Sequence, residues 1–366
     1  MTDETGRRAF HTLDAMRGIA AFSVALGHTQ NLLGGQFFPK AYLAVDFFYA
    51  LSGFVICFAY EERLRNGLTV GRFLIMRLIR LYPLYLLGLL AGLMVAGSGM
   101  ILGGSSFWTP PLLAWSTFFS LLMLPTLPVF GALFLFPLNL PAWSLFSEIL
   151  VNAAYAMIGW LGRNDRVLLG LFLAGALGEL AAIAHYGSLN AGFTWDSAPA
   201  ALPRVVTSFT AGVLAYRVRG RLRLPVFPPV ALLAIVMLCF MIAPPAGRWD
   251  QLYDWAMAAL VMPALVPLGA LAEPGPRWRP IFTELGIISY ALYILHAPML
   301  RFIENGLERV ARVDVAAFAP WIGIASVLLI ALAGSLAHRL YDVPARAWLN
   351  RLWRGAAPPR ARAITG

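Results

Sequence analysis

The stretch Leu13-Asp14-Ala15-Met16-Arg17-Gly18-Ile19, continuing through Gly27-His28, decides how this chain is read. It has the apolar character of a membrane-spanning helix, yet it carries an arginine and a histidine. An ionisable group inside a bilayer costs several kcal/mol, so such groups are rare and mark function by default. Eleven residues at 100° each make three turns plus about 20°, which puts Arg17 and His28 on nearly one helix face, roughly 16 Å apart along the axis. One face therefore carries a fixed cation at one depth and a titratable base at another.

The rest of the chain agrees with a membrane setting. Of 366 residues, 60% are hydrophobic and 13% charged, about half the charge of a soluble domain. Apolar runs of about 20 residues match the ~30 Å hydrocarbon core, and the short alternating segments of a β-barrel are missing. The expected fold is all-α, a polytopic transmembrane helical bundle. Eleven apolar segments lie near 13–33, 41–60, 74–97, 111–136, 143–161, 166–186, 198–217, 226–244, 252–272, 281–300 and 320–340. Segment 111–136 differs, because it holds Pro125, Pro128 and Gly131 and has no flanking charge. Broken backbone is tolerated at membrane depth only in buried or re-entrant structure, so a re-entrant or broken element is expected there.

Ten spans remain, and the net charge of +10 then sorts by loop. With Arg7 and Arg8 in the cytoplasm, the inner side also receives Arg63, Arg65, Arg72, Arg163, Arg166, Arg217 to Arg223, Arg277 and Arg279. The tail adds Arg346, Arg351, Arg354, Arg360 and Arg362. The outer side receives Lys40, Arg248, Arg301, Arg309 and Arg312. Positive-inside bias explains this basic balance better than nucleic acid, and it puts both termini in the cytoplasm. The first apolar run lacks a small-residue cleavage site and is expected to stay as a span. Cys57 and Cys239 sit in apolar runs without metal or disulfide spacing, so no metal site is expected. The expected organisation is a cytoplasmic segment 1–12, a membrane domain 13–344 and a basic tail 345–366. The tail, with Trp348 and Trp353 among arginines, reads as an interfacial amphipathic segment or a solvated basic one.

Sorted by depth, Asp14, Arg17, Arg77 and Arg80 fall toward the inside. His28, Asn31, Asp46, Glu148 and His296 fall toward the outside. Arginine forks suit phosphate, and a histidine near carboxylates suits general-base work. Plainer uses compete: positive-inside anchoring for Arg77 and Arg80, helix capping for Asp14, Asp46 and His296, and simple arginine pairing for Glu148. A carbohydrate or lipid transporter or flippase would also place polar groups at depth. No internal repeat favours it, and the shared face of Arg17 and His28 speaks against a non-catalytic scaffold.

These motifs together resemble the integral-membrane acyltransferase family 3, which acylates bacterial surface polysaccharides, lipopolysaccharide O-antigens and Nod factors. The resemblance runs from Leu13 to about Pro344. It rests on Leu13–Ala21 with His28, on Val45-Asp46-Phe47-Phe48-Tyr49-Ala50-Leu51-Ser52-Gly53-Phe54, and on Arg77–Tyr85 with its Arg-x-x-Arg-x-x-Pro-x-Tyr pattern. Trp143-Ser144-Leu145 with Glu148, and Ser289-Tyr290 to His296, complete the set. It implies a multi-pass inner-membrane enzyme that moves an acyl group, usually acetyl from acetyl-CoA, to a carbohydrate or glycolipid hydroxyl. By motif, His28 is the base, with Glu148 and His296 at the reacting centre. Arg17, Arg77, Arg80 and Tyr85 serve acyl-CoA, and Asp14, Asn31, Asp46, Ser52 and Trp143 serve the substrate. Direct transfer and an acyl-histidine intermediate both fit, as do a macrolide or lipid acceptor and a longer acyl group. Ile149, Val151-Asn152 and Asp342 depart from the family pattern and bear on acceptor choice.

Overall fold

The computed structural model describes residues 10–101, 107–159, 164–221 and 223–356. Arg7, Arg8, Arg163, Arg360 and Arg362, and the side chains of Arg309 and Arg354, lie outside the described residues. The described residues form helices and no strands; a single antiparallel bridge links Phe134 to Thr194. The helices are α1 His11–Gly27, α2 Gln30–Leu33, α3 Ala44–Arg65, α4 Val70–Ile101, α5 Pro110–Leu121, α6 Ala142–Ile158 and α7 Asp165–Tyr186. They continue as α8 Ala201–Val218, α9 Pro229–Met241, α10 Arg248–Ala256, α11 Met262–Leu271, α12 Arg279–Asn305, α13 Trp321–Ala337 and α14 Val343–Ala356.

A helix stands at each segment read as a span; α10 and α11 make one such rod through a π turn at Met257–Val261. Among the described residues, seven helical stretches are long and apolar enough to cross a membrane: Ala41–Arg65, Val70–Ile101, Asp165–Tyr186, Ala198–Val218, Arg248–Leu271, Arg279–Glu308 and Trp321–Trp353. Helices α6 and α9 are shorter and apolar.

Segment 111–136 is broken. Helix α5 starts with Pro110 and Pro111 at its first positions, where proline lacks only a donor that has no partner there anyway. The Thr109 hydroxyl accepts from the Leu112 amide at 3.3 Å as its cap. The helix stops at Leu121, and the chain then runs irregularly through a 3-10 turn at Pro128–Phe130. Its last carbonyls need donors away from water. The Tyr85 hydroxyl donates to Ser120 O at 2.7 Å and the Tyr82 hydroxyl to Leu121 O at 2.8 Å.

Glycine sets the closest helix approaches, as expected where small residues let backbones meet in a bilayer. A Cβ at Gly18 would stand 2.5 Å from Leu285 O, and one at Gly286 would stand 2.5 Å from Asp14 Cβ. These two glycines press α1 onto α12, the helix pair that carries the site. A Cβ at Gly53 would collide with Phe209 O and one at Gly212 with Ala50 O, which locks α3 to α8.

Candidate active site

Helices α1 and α12 run side by side in the same direction. Gly286, Ser289, Tyr293 and His296 repeat at three and four residues along α12, so they form one stripe. Arg17 and His28 both meet this stripe. Arg17 Nε donates to Ser289 Oγ at 2.8 Å, its Nη2 donates to Gly286 O at 2.8 Å, and Asp14 pairs with it at 3.3 Å. Two turns further along α12, the His28 and His296 rings lie 5.0 Å apart between centroids.

Both histidines hold their Nδ1 against backbone carbonyls, His28 on Val24 O at 2.8 Å and His296 on Tyr293 O at 2.7 Å. A carbonyl only accepts, so Nδ1 carries the proton in each neutral ring and Nε2 keeps its lone pair. His296 is fully buried, and its Nε2 has no hydrogen-bond partner among the described residues. His28 is exposed. The pair thus offers two Nε2 lone pairs, one buried and one accessible.

A cavity of about 340 Å³ lies beneath the pair, lined by α1, α3, α4, α6, α12 and the start of α14. From Thr283 to Tyr293 it follows α12 for ten residues, about 15 Å. Four arginines, Arg17, Arg77, Arg80 and Arg346, face three carboxylates, Asp14, Glu148 and Asp342. Arg77, 5% exposed, donates to Glu148 Oε1 at 2.7 Å, and Ser52 Oγ donates to the same oxygen at 2.7 Å. Arg80 is exposed and makes no hydrogen bond or ion pair with the described residues, so its whole donor fork is available. Ser144 and Tyr293 share a 2.7 Å hydrogen bond at the far end, where Phe48 packs edge-on to Tyr293 at 5.2 Å. The Tyr293 ring is 5.9 Å from that of His296, so Tyr293 stands between the cavity and the histidine pair.

The structure thus gathers Asp14, Arg17, Ser52, Arg77, Arg80 and Glu148 in the cavity, and His28 with His296 above it. The depth sorting needs one correction: Glu148 belongs with the arginines. It sits nearly two turns inside α6, and its partner Arg77 sits two turns inside α4, so the two meet well within both helices.

Four of the candidate residues are elsewhere. Tyr85 does not line the cavity, because its hydroxyl is used on the end of α5. Asn31 is exposed on α2. Asp46 and Trp143 both attend Arg204 on α8. Asp46 takes Nε at 3.1 Å and Nη2 at 2.6 Å, and the guanidinium lies 5.6 Å from the Trp143 ring. Arg204 also donates to Ala191 O at 3.0 Å and Tyr42 O at 2.9 Å, and both members of the ion pair are buried. Arg204 was legible as a charge inside apolar segment 198–217, which demands a buried partner.

Other residues escaped the sequence reading. Ser289, Tyr290 and Tyr293 sit in a quoted motif but received no role. His338 lay unremarked in the last apolar segment, Asp342 was noted only as a departure from the family pattern, and Arg346 was set in the tail. A π turn at His338–Asp342 joins α13 to α14, and such turns often re-aim side chains at functional sites. Asp342 pairs with His338 at 2.9 Å and with Arg346 at 2.8 Å, all three on the cavity wall. The segment set apart as a tail therefore supplies part of the cavity.

A family profile described as an acyltransferase domain matches residues 10–340. The chain is 39% identical over 185 residues to "Protein 2 in picA locus" of Rhizobium radiobacter; the match takes in 47% of this chain and 94% of that protein. No solved structure matches the chain. With the profile covering nearly the whole sequence, the chain belongs to the integral-membrane acyltransferase family 3, and the protein is a membrane acyltransferase.

Proposed function

We propose that the protein moves an acyl group, acetyl in the simplest case, from cytosolic acyl-CoA to a hydroxyl of a carbohydrate or glycolipid at or beyond the outer face of the inner membrane. The observation that carries this reading is the single stripe of α12. It presents the Arg17 contacts at one end, the His28–His296 pair at the other, and Tyr293 between them. A donor with phosphates at one end and a thioester at the other fits that polarity. Guanidinium forks take the phosphates, and the thin acyl-bearing arm reaches toward Tyr293.

The chemistry follows from the two lone pairs. A sugar hydroxyl is a poor nucleophile, so His28 Nε2 takes its proton as the oxygen attacks the thioester carbonyl. The tetrahedral oxyanion receives a hydrogen bond from the Tyr293 or Ser144 hydroxyl. Collapse breaks the carbon–sulfur bond, and the thiolate leaves with the proton held by the imidazolium, giving the ester and free thiol. Glu148 holds Arg77 in place at the reacting centre.

Membranes containing the protein, given radiolabelled acetyl-CoA and the host's surface glycans, are expected to put label into carbohydrate; membranes lacking it are not. No difference between the two would remove the donor or the acceptor assignment.

A further inference from the structure

The cavity beneath Tyr293 is near the lower end of small-ligand pocket sizes. It accommodates a slender arm ending in a thioester, but a nucleotide carrying three phosphates needs more room. Space continues past two residues. Arg80 and Arg346 line both this cavity and a second one of about 320 Å³, bounded by Met76, Ile79, Val343 and Asn350. The second cavity lies between α4 and the start of α14, at the end of the bundle that holds the amino-terminal end of α1. The two arginines therefore form the threshold between the spaces.

The donors at this threshold are only partly used. Arg80 makes no hydrogen bond or ion pair with the described residues. Arg346 spends Nη2 on Asp342 at 2.8 Å, while its Nε is buried with no partner among the described residues. Asp342 is 2% exposed, and one of its oxygens takes both His338 and Arg346. It thus fixes the root of α14 and aims Arg346 at the threshold. Met76, Ile79 and Val343 give the second cavity an apolar side suited to the face of a purine, and Asn350 supplies an amide at its rim. Arginine beside an apolar wall is the surface that a phosphorylated nucleoside fits.

Resting on the acyl-CoA reading above, we infer that the groove between α4 and α14 is the nucleotide subsite, with Arg346 gripping the ribose 3′-phosphate and Arg80 the pyrophosphate. The tail helix is then the element that tells CoA from the same thiol lacking the 3′-phosphate. Each charge-assisted hydrogen bond to phosphate is worth about tenfold or more in affinity.

The test is equilibrium binding of CoA and of 3′-dephospho-CoA to the purified full-length protein in lipid nanodiscs. The unaltered protein is expected to prefer CoA by about tenfold or more. In Arg346→Gln that ratio is expected to fall to about one, and Arg346→Lys, which keeps the charge without the fork, retains part of it. Unchanged elution and melting of Arg346→Gln show that the loss is not unfolding. Equal binding of both ligands by the unaltered protein, or a full ratio in Arg346→Gln, overturns the subsite and leaves the acyl-CoA reading standing. Failure of the unaltered protein to bind either ligand overturns both.

Discussion

His28→Ala is expected to lower acyl transfer by about 10²- to 10⁴-fold, the range a positioned general base supplies, while the protein remains folded. The structural cost of the change is small. His28 is exposed, and its ring makes one hydrogen bond, to Val24 O, which also accepts from the His28 backbone amide. No charged partner is stranded. His28 lines no part of the arginine cavity, so affinity for acyl-CoA is expected to stay near that of the unaltered protein. The measurement is a kcat determination in reconstituted liposomes, alongside CoA binding by the same preparation. Transfer within tenfold of the unaltered enzyme would show that the base is elsewhere. His296 would then be the first alternative, since its Nε2 faces the same neighbourhood.

The second large effect is on stability. Asp46→Ala leaves Arg204 buried at 1% exposure with no carboxylate in contact, and breaking a buried ion pair from one side costs about 3–5 kcal/mol. Net stabilities are about 5–15 kcal/mol, so this is a large fraction of the whole. The variant is expected to melt well below the unaltered protein and to accumulate poorly. Replacing both partners, Asp46→Leu with Arg204→Leu, is expected to recover part of the loss, because neither member of the pair is then buried without the other. Recovery stays partial because Ala191 O and Tyr42 O lose the donors Arg204 gave them. Thermal unfolding in detergent of the two single variants and the double variant checks this. If Asp46→Ala melts normally but loses activity, Asp46 serves the substrate as its motif suggested, and the buried pair is not its role.

The contrast between these two residues shows what the sequence carried. Arg17 and His28 could be placed on one face by counting residues, and that face does meet α12. The Ser289-to-His296 run meets it with the matching three-and-four spacing. Periodicity and length located the helices, because a bilayer leaves the backbone few alternatives. The broken segment after Thr109 was legible from its prolines. Partner choice was not legible. Asp46, Trp143 and Tyr85 stand in motifs that resemble a functional family, yet each serves a contact made across the bundle: Arg204 for the first two, the end of α5 for the third. A motif records which residue types recur together, while the partner is set by three-dimensional packing. Glu148 was misplaced in depth for a related reason, since α6 begins at Ala142 and carries it nearly two turns inward. Arg346 was hidden because a basic residue beyond the last apolar run looks like an anchor; only the π turn at His338–Asp342 brings it back to the cavity.

On the proposed reading, donor and acceptor enter from opposite faces and meet between the arginine cavity and the histidine pair. A sidedness experiment separates this from transfer on one face. Inside-out and right-side-out membrane vesicles of the producing cells receive radiolabelled acetyl-CoA, which does not cross the bilayer, with acceptor glycan enclosed in the lumen or supplied outside. Label is expected in carbohydrate when the donor is on the cytoplasmic face and the acceptor on the other, with none when the two are exchanged. Transfer only when both stand on the same face, or equally from either side, rules out entry from opposite faces.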